Sequence, residues 1–490
     1  MGDSQVTLFQ PNFNRSVHVE ARADRLSADT GALLLRELMD RLGLTRLLLE
    51  HLEDPRDAAL VTHPFEELLR TQLLLLAQGW SRGSDVALLG RDPTLRLAIS
   101  KRRSDHALRE AVGREPEGLC SQATLSRLLA ILSSAENRDG LRNVLLDAAE
   151  RRYRTYGAGR LAELTLDMDS LPLVVHGHQA ESDYNGHYKT RCYHPLLVRS
   201  DRGDYLGARL RSGNVHTADG GLDFVLPILR WAKCQAKRVW LRIDAGFPEP
   251  NLLTALDTEK VDYVARLRGN TKLNKLAAPY LRRPPGRPPL EGRTWLHELS
   301  YGAKSWGRER RVVLVVIERP GEQGHLFLDH FFLLTSATKK EMDGKALLEH
   351  YRQRGTAEAD FGAWQNALEP ALSSTTRPKT HYREQEVQVR SEAVDAFATN
   401  EARLLLSLLA ANLLHAGAEL CSRAERQAYS RQRFRRAVLK ASSRILLGKG
   451  CVTVVLDAAR AALWTGVWTE LQRTYPTRGS PGARALPTPA

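Results

Sequence analysis

Cysteine is scarce in this sequence, with five residues among 490: Cys120, Cys192, Cys234, Cys421 and Cys451. They lie far apart and form no Cys-x-x-Cys pair. This spacing argues against a structural zinc site and against the disulfide framework of a small secreted domain. A reducing cytosol fits the pattern, and we expect a cytoplasmic protein.

Long hydrophobic runs are also missing. The longest, Leu404 to Leu414, has eleven residues and contains Ser407 and Asn412, whereas a membrane-spanning helix needs about 20 apolar residues. The first five residues, Met-Gly-Asp-Ser-Gln, lack the basic and apolar regions of an export signal. We therefore expect no association with a membrane.

Acidic side chains are in deficit. There are 57 of them against 71 lysines and arginines, which gives a net charge of +14 and a pI near 9.7. A polyanion is the partner that such a balance favours, and nucleic acid is the polyanion of the cytosol. The length predicts about two to four domains, and 42% hydrophobic residues are enough for a sizeable core.

The segment from Leu164 to Ser170 alternates apolar and polar residues, the period of a β-strand with two dissimilar faces. Leu166 and Met168 belong to the apolar face, and Asp167 and Asp169 share the polar one. Two acids on one face repel each other unless they bind something cationic. Taken alone, the segment is either a cation-binding strand or an edge strand with a solvated acidic face.

Residues 1–155 are predicted to be mainly helical. Leucines recur at helical spacing in 32–42 and again in 66–76. Residues 121–129 could begin with a Ser cap and present Gln122, Thr124 and Arg127 in the manner of a recognition helix. We therefore expect a helical DNA-binding region at this end of the chain.

From about residue 160 the periodicity predicts strands and helices in the order β-β-β-α-β-α-β, which describes a mixed sheet with helices on its faces. The predicted strands are 164–170, 193–198, 205–210, 239–247 and 263–267, and the predicted helices are 221–233 and 250–256. Residues 282–293, rich in Pro, Gly and Arg, are predicted to be a rigid basic linker. Strands at 294–299, 311–317 and 325–335 then predict a small β-rich insertion rather than a continuation of the sheet.

The remainder of the chain is predicted to be helical, with one helix at 345–366 and a long apolar one at 392–421. Residues 422–443 hold seven basic side chains against one acid, which fits either a solvated helix or one that contacts phosphates. The last fifteen residues are predicted to be disordered. The predicted regions are 1–155 (N-terminal, DNA-binding), 156–275 and 341–420 (the two parts of the catalytic core), 276–340 (insertion), 421–475 (basic helical C-terminal) and 476–490 (tail).

Tyr351, Arg354 and Glu358 stand at spacings that bring them to one face of the predicted helix 345–366. The simplest alternative is an exposed ion pair between residues four apart, which contributes only about 0.3–0.5 kcal/mol. The other acids make a second interpretation possible. Asp169, with Asp167 beside it, Asp244 and Glu358 could together hold two divalent cations for phosphoryl transfer. Arg354 and Lys189 could then neutralise phosphate oxygens.

At these residues the sequence resembles the DDE transposases of bacterial insertion sequences, in the large group that includes the transposon-five enzyme, and most nearly the thirteen-eighty family. The similarity covers about residues 25–470 with the motifs in order. The matching segments are Leu166-Asp-Met-Asp-Ser, Val175-His-Gly-His-Gln, Tyr184-Asn-Gly-His-Tyr, Tyr193-His-Pro-Leu, Ala208-Arg-Leu-Arg-Ser-Gly-Asn-Val-His, Leu241-Arg-Ile-Asp-Ala-Gly-Phe, Val261-Asp-Tyr-Val, Ser305-Trp-Gly-Arg-Glu-Arg-Arg-Val-Val, Tyr351-Arg-Gln-Arg-Gly-Thr-Ala-Glu-Ala-Asp-Phe and Asn400-Glu-Ala-Arg-Leu-Leu-Leu.

The resemblance implies an α/β fold, with an RNase H-like mixed-sheet catalytic core interrupted by the β-rich insertion. It also implies a metal-binding and catalytic triad of Asp169, Asp244 and Glu358. Asp167 would be an auxiliary acid, although the residues alone do not decide which of the two strand acids is the ligand. DNA contacts would come from a further set of side chains: Tyr351, Arg354, Gln365, Lys189, Arg211 and Trp306.

The sequence departs from the family pattern at two positions. Tyr351, Arg354 and Glu358 match the first three members of a Tyr-Arg-Glu-Lys signature, but Gln365 stands where the lysine is expected. Leu171 replaces a hydroxyl residue two places after the first acid. Neither departure removes a metal ligand, but glutamine carries no charge for a phosphate. For Trp306, packing is an alternative to stacking on a base.

The predicted function is cut-and-paste transposition with Mg²⁺, for which Mn²⁺ could substitute. The protein would bind the terminal inverted repeats of its element as a homodimer on paired ends and act on double-stranded DNA at the nucleoid. Two alternatives stay open at this point: a DNA-binding protein of the same fold that has lost turnover, and a metal-dependent nuclease that cuts without joining. The sequence does not specify the repeats, the target site or whether excision passes through a hairpin.

Overall fold

Two units make up the chain in the computed structural model. It describes residues 6–21, 24–109, 118–157, 159–175, 177, 179–283, 291–320, 326–368, 372–373, 380–383, 386–389, 395–448 and 451–476. Unit 1 comprises Met1–Thr45, Asp54–Leu128 and Leu413–Ala490, and unit 2 comprises Arg46–Glu53 and Leu129–Asn412. The proline-rich linker at 284–290 and the tail from 477 lie outside the described residues.

The strands of the described residues, in chain order, are β1 (Val6–Phe9), β2 (Val19–Ala21), β3 (Arg25–Ser27), β4 (Leu161–Ser170), β5 (Leu173–Val174), β6 (Asp183–Asn185), β7 (Thr190–Tyr193), β8 (Leu196–Ser200), β9 (Tyr205–Arg209), β10 (Ala236–Ile243), β11 (Asp262–Leu267), β12 (Arg293–Tyr301), β13 (Arg310–Pro320), β14 (Leu326–Thr335), β15 (Thr380–Arg383), β16 (Glu386–Val389), β17 (Ser443–Leu447) and β18 (Val452–Leu456).

The helices are α1 (Ala32–Arg41), α2 (Leu44–His51), α3 (Phe65–Gln78), α4 (Asp85–Leu89), α5 (Pro93–Ile99), α6 (Gln122–Leu132), α7 (Ala135–Tyr153), α8 (Gly221–Gln235), α9 (Pro250–Glu259), α10 (Thr271–Ala277), α11 (Gly344–Arg352), α12 (Arg354–Leu368), α13 (Ala396–Glu425), α14 (Arg431–Phe434) and α15 (Ala461–Thr474). Short 3-10 turns occur at Ser104–Leu108, Arg154–Tyr156, Ala278–Tyr280 and Ala458–Arg460, and a π-helical turn at Arg435–Leu439.

Unit 1 is built jointly by the two ends of the chain. Strand β17 pairs with β18 on one side and with β3 on the other, with Ser443 opposite Ser27. Near this pairing the Lys440 ammonium lies 2.5 Å from the Asp29 carboxylate. The predicted C-terminal region is therefore neither separate nor wholly helical, because its hairpin completes a sheet begun near the N-terminus.

Helix α6 confirms the helix predicted near residue 121. The Ser121 hydroxyl accepts a hydrogen bond from the Thr124 amide at 3.2 Å, which caps the first turn. Gln122 and Arg127 are exposed, whereas Leu125 is buried. The helix thus offers a polar face to solvent, and its contact with DNA stays a prediction.

Unit 2 is organised around an eight-stranded sheet in the order β12-β13-β14-β11-β10-β4-β8-β9. Strands β4, β10 and β11 are parallel to one another, and the remaining neighbours are antiparallel. Helix α8 connects β9 to β10, and α9 connects β10 to β11. Within this sheet the predicted order β-β-β-α-β-α-β is confirmed, and the apolar run in β10 does form a central strand covered on both faces. The strand predicted at 193–198 is divided, because β7 ends at Tyr193 in a separate sheet with β5 and β6, and β8 begins at Leu196.

Strands β12, β13 and β14 correct the prediction of a separate β-rich insertion. They exist near the expected residues, but β14 pairs with β11, with Val264 opposite Thr335, so they extend the main sheet. The reason lies in β13, where Val312 and Leu314 enter one hydrophobic core and Val313 enters the other. A strand that is apolar on both faces needs cover on both sides, which the main sheet provides.

The two faces of the sheet carry different layers. Helices α7, α8 and α9 cover the face that receives Leu164, Leu166 and Met168. Helix α11 packs on the opposite face, where Leu347 meets Val313. Since side chains alternate along β4, Asp167 and Asp169 belong to the face of α11.

The helix predicted at 345–366 is two helices in the structure. Helix α11 ends at Arg352, Gln353 forms a turn, and α12 begins at Arg354. Tyr351 therefore stands on a different helix from Arg354 and Glu358. Periodicity alone missed the break because Gln353 keeps helical backbone angles, φ −60° and ψ −16°.

Helix α13 is the one helix among the described residues that is long and apolar enough to cross a membrane. Of its most apolar 18-residue window, 89% is buried inside the protein. In unit 2 it is tied to β9 by Asn412, whose amide bonds both the N–H and the C=O of Tyr205 at 2.8 Å. Core packing accounts for its apolar composition.

Gly31 provides a test of the joint construction of unit 1. A Cβ at this position would lie 2.2 Å from Leu439 Cα and 2.7 Å from its carbonyl oxygen, both of them backbone atoms. We predict that Gly31→Ala lowers the free energy of unfolding by about 1–3 kcal/mol, as overpacking does. Gly83→Ala is the control, because its Cβ would meet only Gln122 Cγ at 3.7 Å. Equal midpoints of denaturant unfolding for the two variants would contradict the packing described here.

Candidate active site

A cavity of about 910 Å³ opens in unit 2 at the carboxyl ends of the central strands. Its wall contains Asp169, Asp244 and Glu358 together with Tyr351 and Arg354. The structure thus brings five of the residues predicted from the sequence to one surface, although they span nearly two hundred positions of the chain.

Adjacent parallel strands deliver the first two acids. In the register of β4 with β10, Met168 lies opposite Ile243, so the next residue of each chain segment is an aspartate. Asp169 is the penultimate residue of β4, and Asp244 directly follows β10. Carboxyl ends of neighbouring parallel strands meet at one edge, which is the usual location of a site in an α/β sheet.

The two acids of β4 differ in their surroundings. Asp167 is buried, and both of its oxygens accept hydrogen bonds from Arg242, at 2.7 Å from Nε and 2.7 Å from Nη2. Asp169 has a side chain 18% exposed and lines the cavity. Asp167 thus has a partner that occupies both oxygens, whereas Asp169 faces the space that a substrate would enter.

Arg354 lies between the first and the third acid. Its Nη2 is 2.6 Å from Asp169 Oδ2, and its Nη1 donates to Glu358 Oε1. The Arg354 side chain is 9% exposed, but that of Glu358 is 55% exposed. Arg354 therefore holds Glu358 at the mouth of the cavity and is itself held by Asp169.

Burial raises the pKa of Asp169 to about 6, since a carboxylate loses hydration in the cavity wall. The Arg354 guanidinium and the Ser170 amide act against this shift, while the charges of Asp244 and Glu358 add to it. Burial likewise raises the pKa of Tyr351 to about 12. Tyr351 is therefore a neutral phenol at physiological pH, able to donate a hydrogen bond.

The site has the donor chemistry for a divalent cation. Hard cations prefer carboxylate oxygens, and three carboxylates converge on this cavity with mutual repulsion. Among the described residues, no three acidic, histidine or cysteine side chains form a ready ligand group. Mg²⁺ does not require one, because it is typically held by one or two carboxylates, water and substrate phosphates. The residue types therefore fit, with Arg354 now pairing two of the acids.

The structure locates the other predicted DNA contacts away from the described lining of this cavity. The Gln365 amide donates to the Pro172 carbonyl at 2.9 Å and so fixes the segment after β4. Lys189 is exposed in the turn between β6 and β7. Trp306 packs edge-on against Tyr301, with 5.4 Å between ring centroids. These three assignments stay predictions.

Arg211 has a structural role that the sequence did not suggest. It is buried, and its Nε donates to the His194 carbonyl at 2.8 Å. Its Nη1 donates to the carbonyls of His216, Thr217 and Asp219. Arg211 therefore shapes the loop that lines one wall of the cavity, and a contact of its own with DNA stays a prediction.

Three arginines outside the predicted site also line the cavity, namely Arg266, Arg268 and Arg352, and Arg352 pairs with Glu349. Arg266 and Arg268 are exposed at the end of β11, and the described residues offer neither of them an acidic partner within ion-pair distance. The Arg266 guanidinium lies 5.1 Å from the centroid of the Phe331 ring. The signal was available in the alternation Arg-Leu-Arg at the end of a strand, which sets both arginines on one face.

His194 is a further residue of the cavity wall that was not predicted from the sequence. It lines the cavity, is 3% exposed, and its Nδ1 is 3.4 Å from the Val215 carbonyl. Burial, with Arg211 nearby, lowers its pKa from the usual value. The neutral ring then donates from Nδ1 and leaves Nε2, which has no partner among the described residues, as an acceptor.

The contrast between the two strand acids predicts opposite stability effects. The folded pKa of Asp169, about 6, exceeds the ordinary aspartate value of 3.8, so the free energy of unfolding falls as the pH rises from about 4 through 6. Asp169→Asn should therefore stabilise unit 2 at pH 7.5 by roughly 2–3 kcal/mol, and the gain should shrink as the pH falls towards 4. Thermal unfolding at several pH values measures it.

Asp167→Asn is the matched control on the same face of β4. It leaves the buried Arg242 without its carboxylate, and we expect a destabilisation of about 3–5 kcal/mol at pH 7.5. If Asp169→Asn destabilised the protein at pH 7.5 as much as Asp167→Asn does, the assigned environments would be wrong.

Comparison with known proteins identifies a family for this chain. A search of curated proteins finds no match to this chain. A family model described as "Transposase DDE domain group 1" matches residues 9–474, nearly the whole sequence. This extent covers all the residues that converge on the cavity. The chain belongs to the transposase DDE domain family, group 1.

Proposed function

We propose that this protein is a DDE transposase that binds the terminal inverted repeats of an insertion sequence and catalyses cut-and-paste transposition. The observation that carries the proposal is the convergence of Asp169, Asp244 and Glu358 on one cavity at the ends of two parallel strands. Membership of the family supports the reaction class. Assignment to the thirteen-eighty branch rests on the sequence motifs.

The order of the central strands supports an RNase H-like core. Strands β9, β8, β4, β10 and β11 are neighbours in that order, so the first three strands form a meander and the last two add in parallel beside the first. In this arrangement the first and fourth strands are adjacent, and each presents an acid at its carboxyl end. The topology thus accounts for the pairing of Asp169 with Asp244.

Asp169, Asp244 and Glu358 would hold Mg²⁺, or Mn²⁺ in its place. When bound, the metal lowers the pKa of the attacking water or 3′-hydroxyl and neutralises charge on the departing oxygen. Glu358, exposed at the mouth, is the ligand with freedom to adjust as DNA enters. Asp169 is held by Arg354 and by the Ser170 amide until then.

Arg354 and Tyr351 would hold the reacting phosphate. Charge-assisted hydrogen bonds from a guanidinium to phosphate oxygens have the same geometry as those that Arg354 makes to Asp169. A scissile phosphate could therefore replace the carboxylates as partner of this arginine. The Tyr351 hydroxyl, kept protonated by burial, would donate to the same group.

Arg266 and Arg268 would bind the DNA backbone that leads away from the site. Beside them a cavity of about 440 Å³, shared with Asp244, is lined by Phe331 and Asn274. Cations without acidic partners next to an aromatic ring suit a phosphodiester and a stacked base. Such contacts would give a role to two arginines of the cavity wall that pair with none of the described acids.

Partners and location follow from the same function. The substrates would be double-stranded DNA at the element's ends and at the target, with a homodimer on paired ends. The exposed arginines of unit 1 at positions 426, 433 and 436 would contact phosphates. We place the protein in the cytoplasm, at the nucleoid.

A DNA-binding protein without turnover is the second candidate, and Gln365 favours it. The amide at the signature's lysine position carries no charge, and one of its two N–H donors is already bound to the Pro172 carbonyl. A third candidate, a nuclease that does not join ends, shares the same metal chemistry. Supercoiled plasmid carrying the element's own ends distinguishes the three candidates. A DNA-binding protein without turnover leaves the plasmid intact, a nuclease only cuts it, and a transposase also yields joined products.

Metal-dependent cleavage tests the triad. We predict that Asp244→Ala and Glu358→Ala each lower the cleavage rate of an end-containing duplex in Mg²⁺ by at least about a thousandfold, because each removes a ligand for the metal. Electrophoretic mobility shifts should show end binding within about twofold of wild type. Asp343→Ala, at the cap of α11, is the control acid and should cleave normally. Cleavage that survives either triad change would refute the assignment.

Salt dependence tests the proposed backbone contacts. Each phosphate contact contributes about 0.9 to the slope of log affinity against log salt for duplex DNA. Arg266→Gln combined with Arg268→Gln should reduce that slope by about 2, measured by fluorescence anisotropy. Arg202→Gln combined with Lys237→Gln, two exposed positions after β8 and at the start of β10, removes the same two charges as a control and should leave the slope unchanged. An equal loss of slope in both proteins would mean that net charge, not this site, determines binding.

A further inference from the structure

Arg242 connects three elements that meet behind the cavity. Its Nε and Nη2 bind both oxygens of Asp167 on β4 at 2.7 Å. Its Nη1 donates to the His350 carbonyl near the end of α11 at 2.9 Å and to the Gln353 side-chain oxygen at 3.2 Å. The Arg242 side chain is 2% exposed and that of Asp167 1%. One guanidinium therefore joins β4, β10 and the turn between α11 and α12.

Each partner stands close in sequence to a residue of the site. Asp167 is two residues before Asp169, and Arg242 is two before Asp244. Gln353 directly precedes Arg354 and the helix that carries Glu358. Any shift of this network would therefore change the positions of the acids relative to one another.

We propose that the Asp167–Arg242–Gln353 network is the positioning element that sets helix α12 against the two strand acids. Arg242 is a positioning residue, because it lies behind the cavity and acts through Arg354 and Glu358. The catalytic consequence of this inference rests on the proposed function, whereas the geometry of the network is independent of that function.

Stability alone does not account for the arrangement. A buried ion pair often contributes no more than well-packed apolar residues would, because both charges lose hydration. A pair between β4 and β10 would also need only two of the guanidinium's nitrogens. The third nitrogen reaches the break between the helices, where a free carbonyl of α11 needs a donor. The arginine at this point thus fixes where one helix ends and the next begins.

Gln353 is the member that can be changed without risk to the fold, since it is exposed. Gln353→Ala removes the side-chain acceptor from Arg242 and should lower kcat for end cleavage by roughly ten- to a hundredfold, the effect of a small misplacement of catalytic groups. The KM for end DNA should stay within about twofold. Gln353→Glu restores an acceptor for the guanidinium and should recover most of the wild-type kcat.

Arg238→Gln is the matched control, because Arg238 lies on β10, the strand that also carries Arg242. Arg238 pairs with Asp262 at 2.7 Å across β10 and β11, and the described residues show no hydrogen bond from it to α11 or α12. Its loss should leave kcat unchanged. A fall in kcat equal to that of Gln353→Ala, or failure of Gln353→Glu to recover activity, would overturn the proposal.

Amide hydrogen exchange tests the positioning of α12 independently of catalytic activity. If the wild-type protein did not cleave DNA, the proposed function would be refuted, but the exchange measurement would still test the network. Amide exchange at residues 352–358, measured by mass spectrometry, should speed up at least about tenfold in Gln353→Ala and not in Arg238→Gln or Gln353→Glu, since local opening of the turn becomes easier. Unchanged exchange in Gln353→Ala would show that the network does not hold the helix.

Discussion

Repulsion among carboxylates at the ends of β4 and β10 is the constraint on which the site depends. The sheet order makes these strands neighbours, and Asp169 and Asp244 then share one partly buried cavity with Glu358. Burial is the main cause of the raised pKa of Asp169, and the charges of Asp244 and Glu358 add to it, so both burial and crowding cost free energy. A fold keeps such a cluster only if cations relieve it. Arg354 does so in this structure, and a divalent metal with a phosphate would do so in a working complex.

Two arginines pair with the two acids of β4, Arg242 with Asp167 and Arg354 with Asp169, and their surroundings differ. Arg242 is buried and holds Asp167 and the helix break, so it belongs to the framework. Arg354 is held by the carboxylates of Asp169 and Glu358 at the cavity wall, where a phosphate would replace them under the proposed function. Alternation along the strand explains the division, because residues two apart share a face but stand at different depths in the site. An arginine–aspartate pair therefore stabilises the framework at Asp167, whereas the pair at Asp169 would give way to a phosphate under the proposed function.

The wider charge pattern follows a similar logic. The exposed arginines at the end of β11 lie beside the acids but pair with none of the described carboxylates, which keeps them available for phosphate. Three acids and two arginines that pair with none of the described carboxylates thus occupy one cavity. In unit 1 much of the basic segment 422–443 is used internally, since Arg431 is buried and Lys440 pairs with Asp29. Net charge overestimates how many cations a nucleic acid would meet.

Sequence alone determined the local elements and the chemistry-bearing residues. Period-two and period-3.6 patterns located β4, β10 and α8, and the resemblance of the motifs to a known family named Asp169, Asp244 and Glu358 as the candidate site. Tertiary structure decided what pattern cannot encode. Pairing across the sheet made β12–β14 part of the main sheet and joined the two chain ends in unit 1, because register depends on partners distant in sequence. It also separated Asp167 from Asp169: alternation sets both on one face, but only the positions of Arg242 and the cavity determine which acid is paired and which faces a substrate.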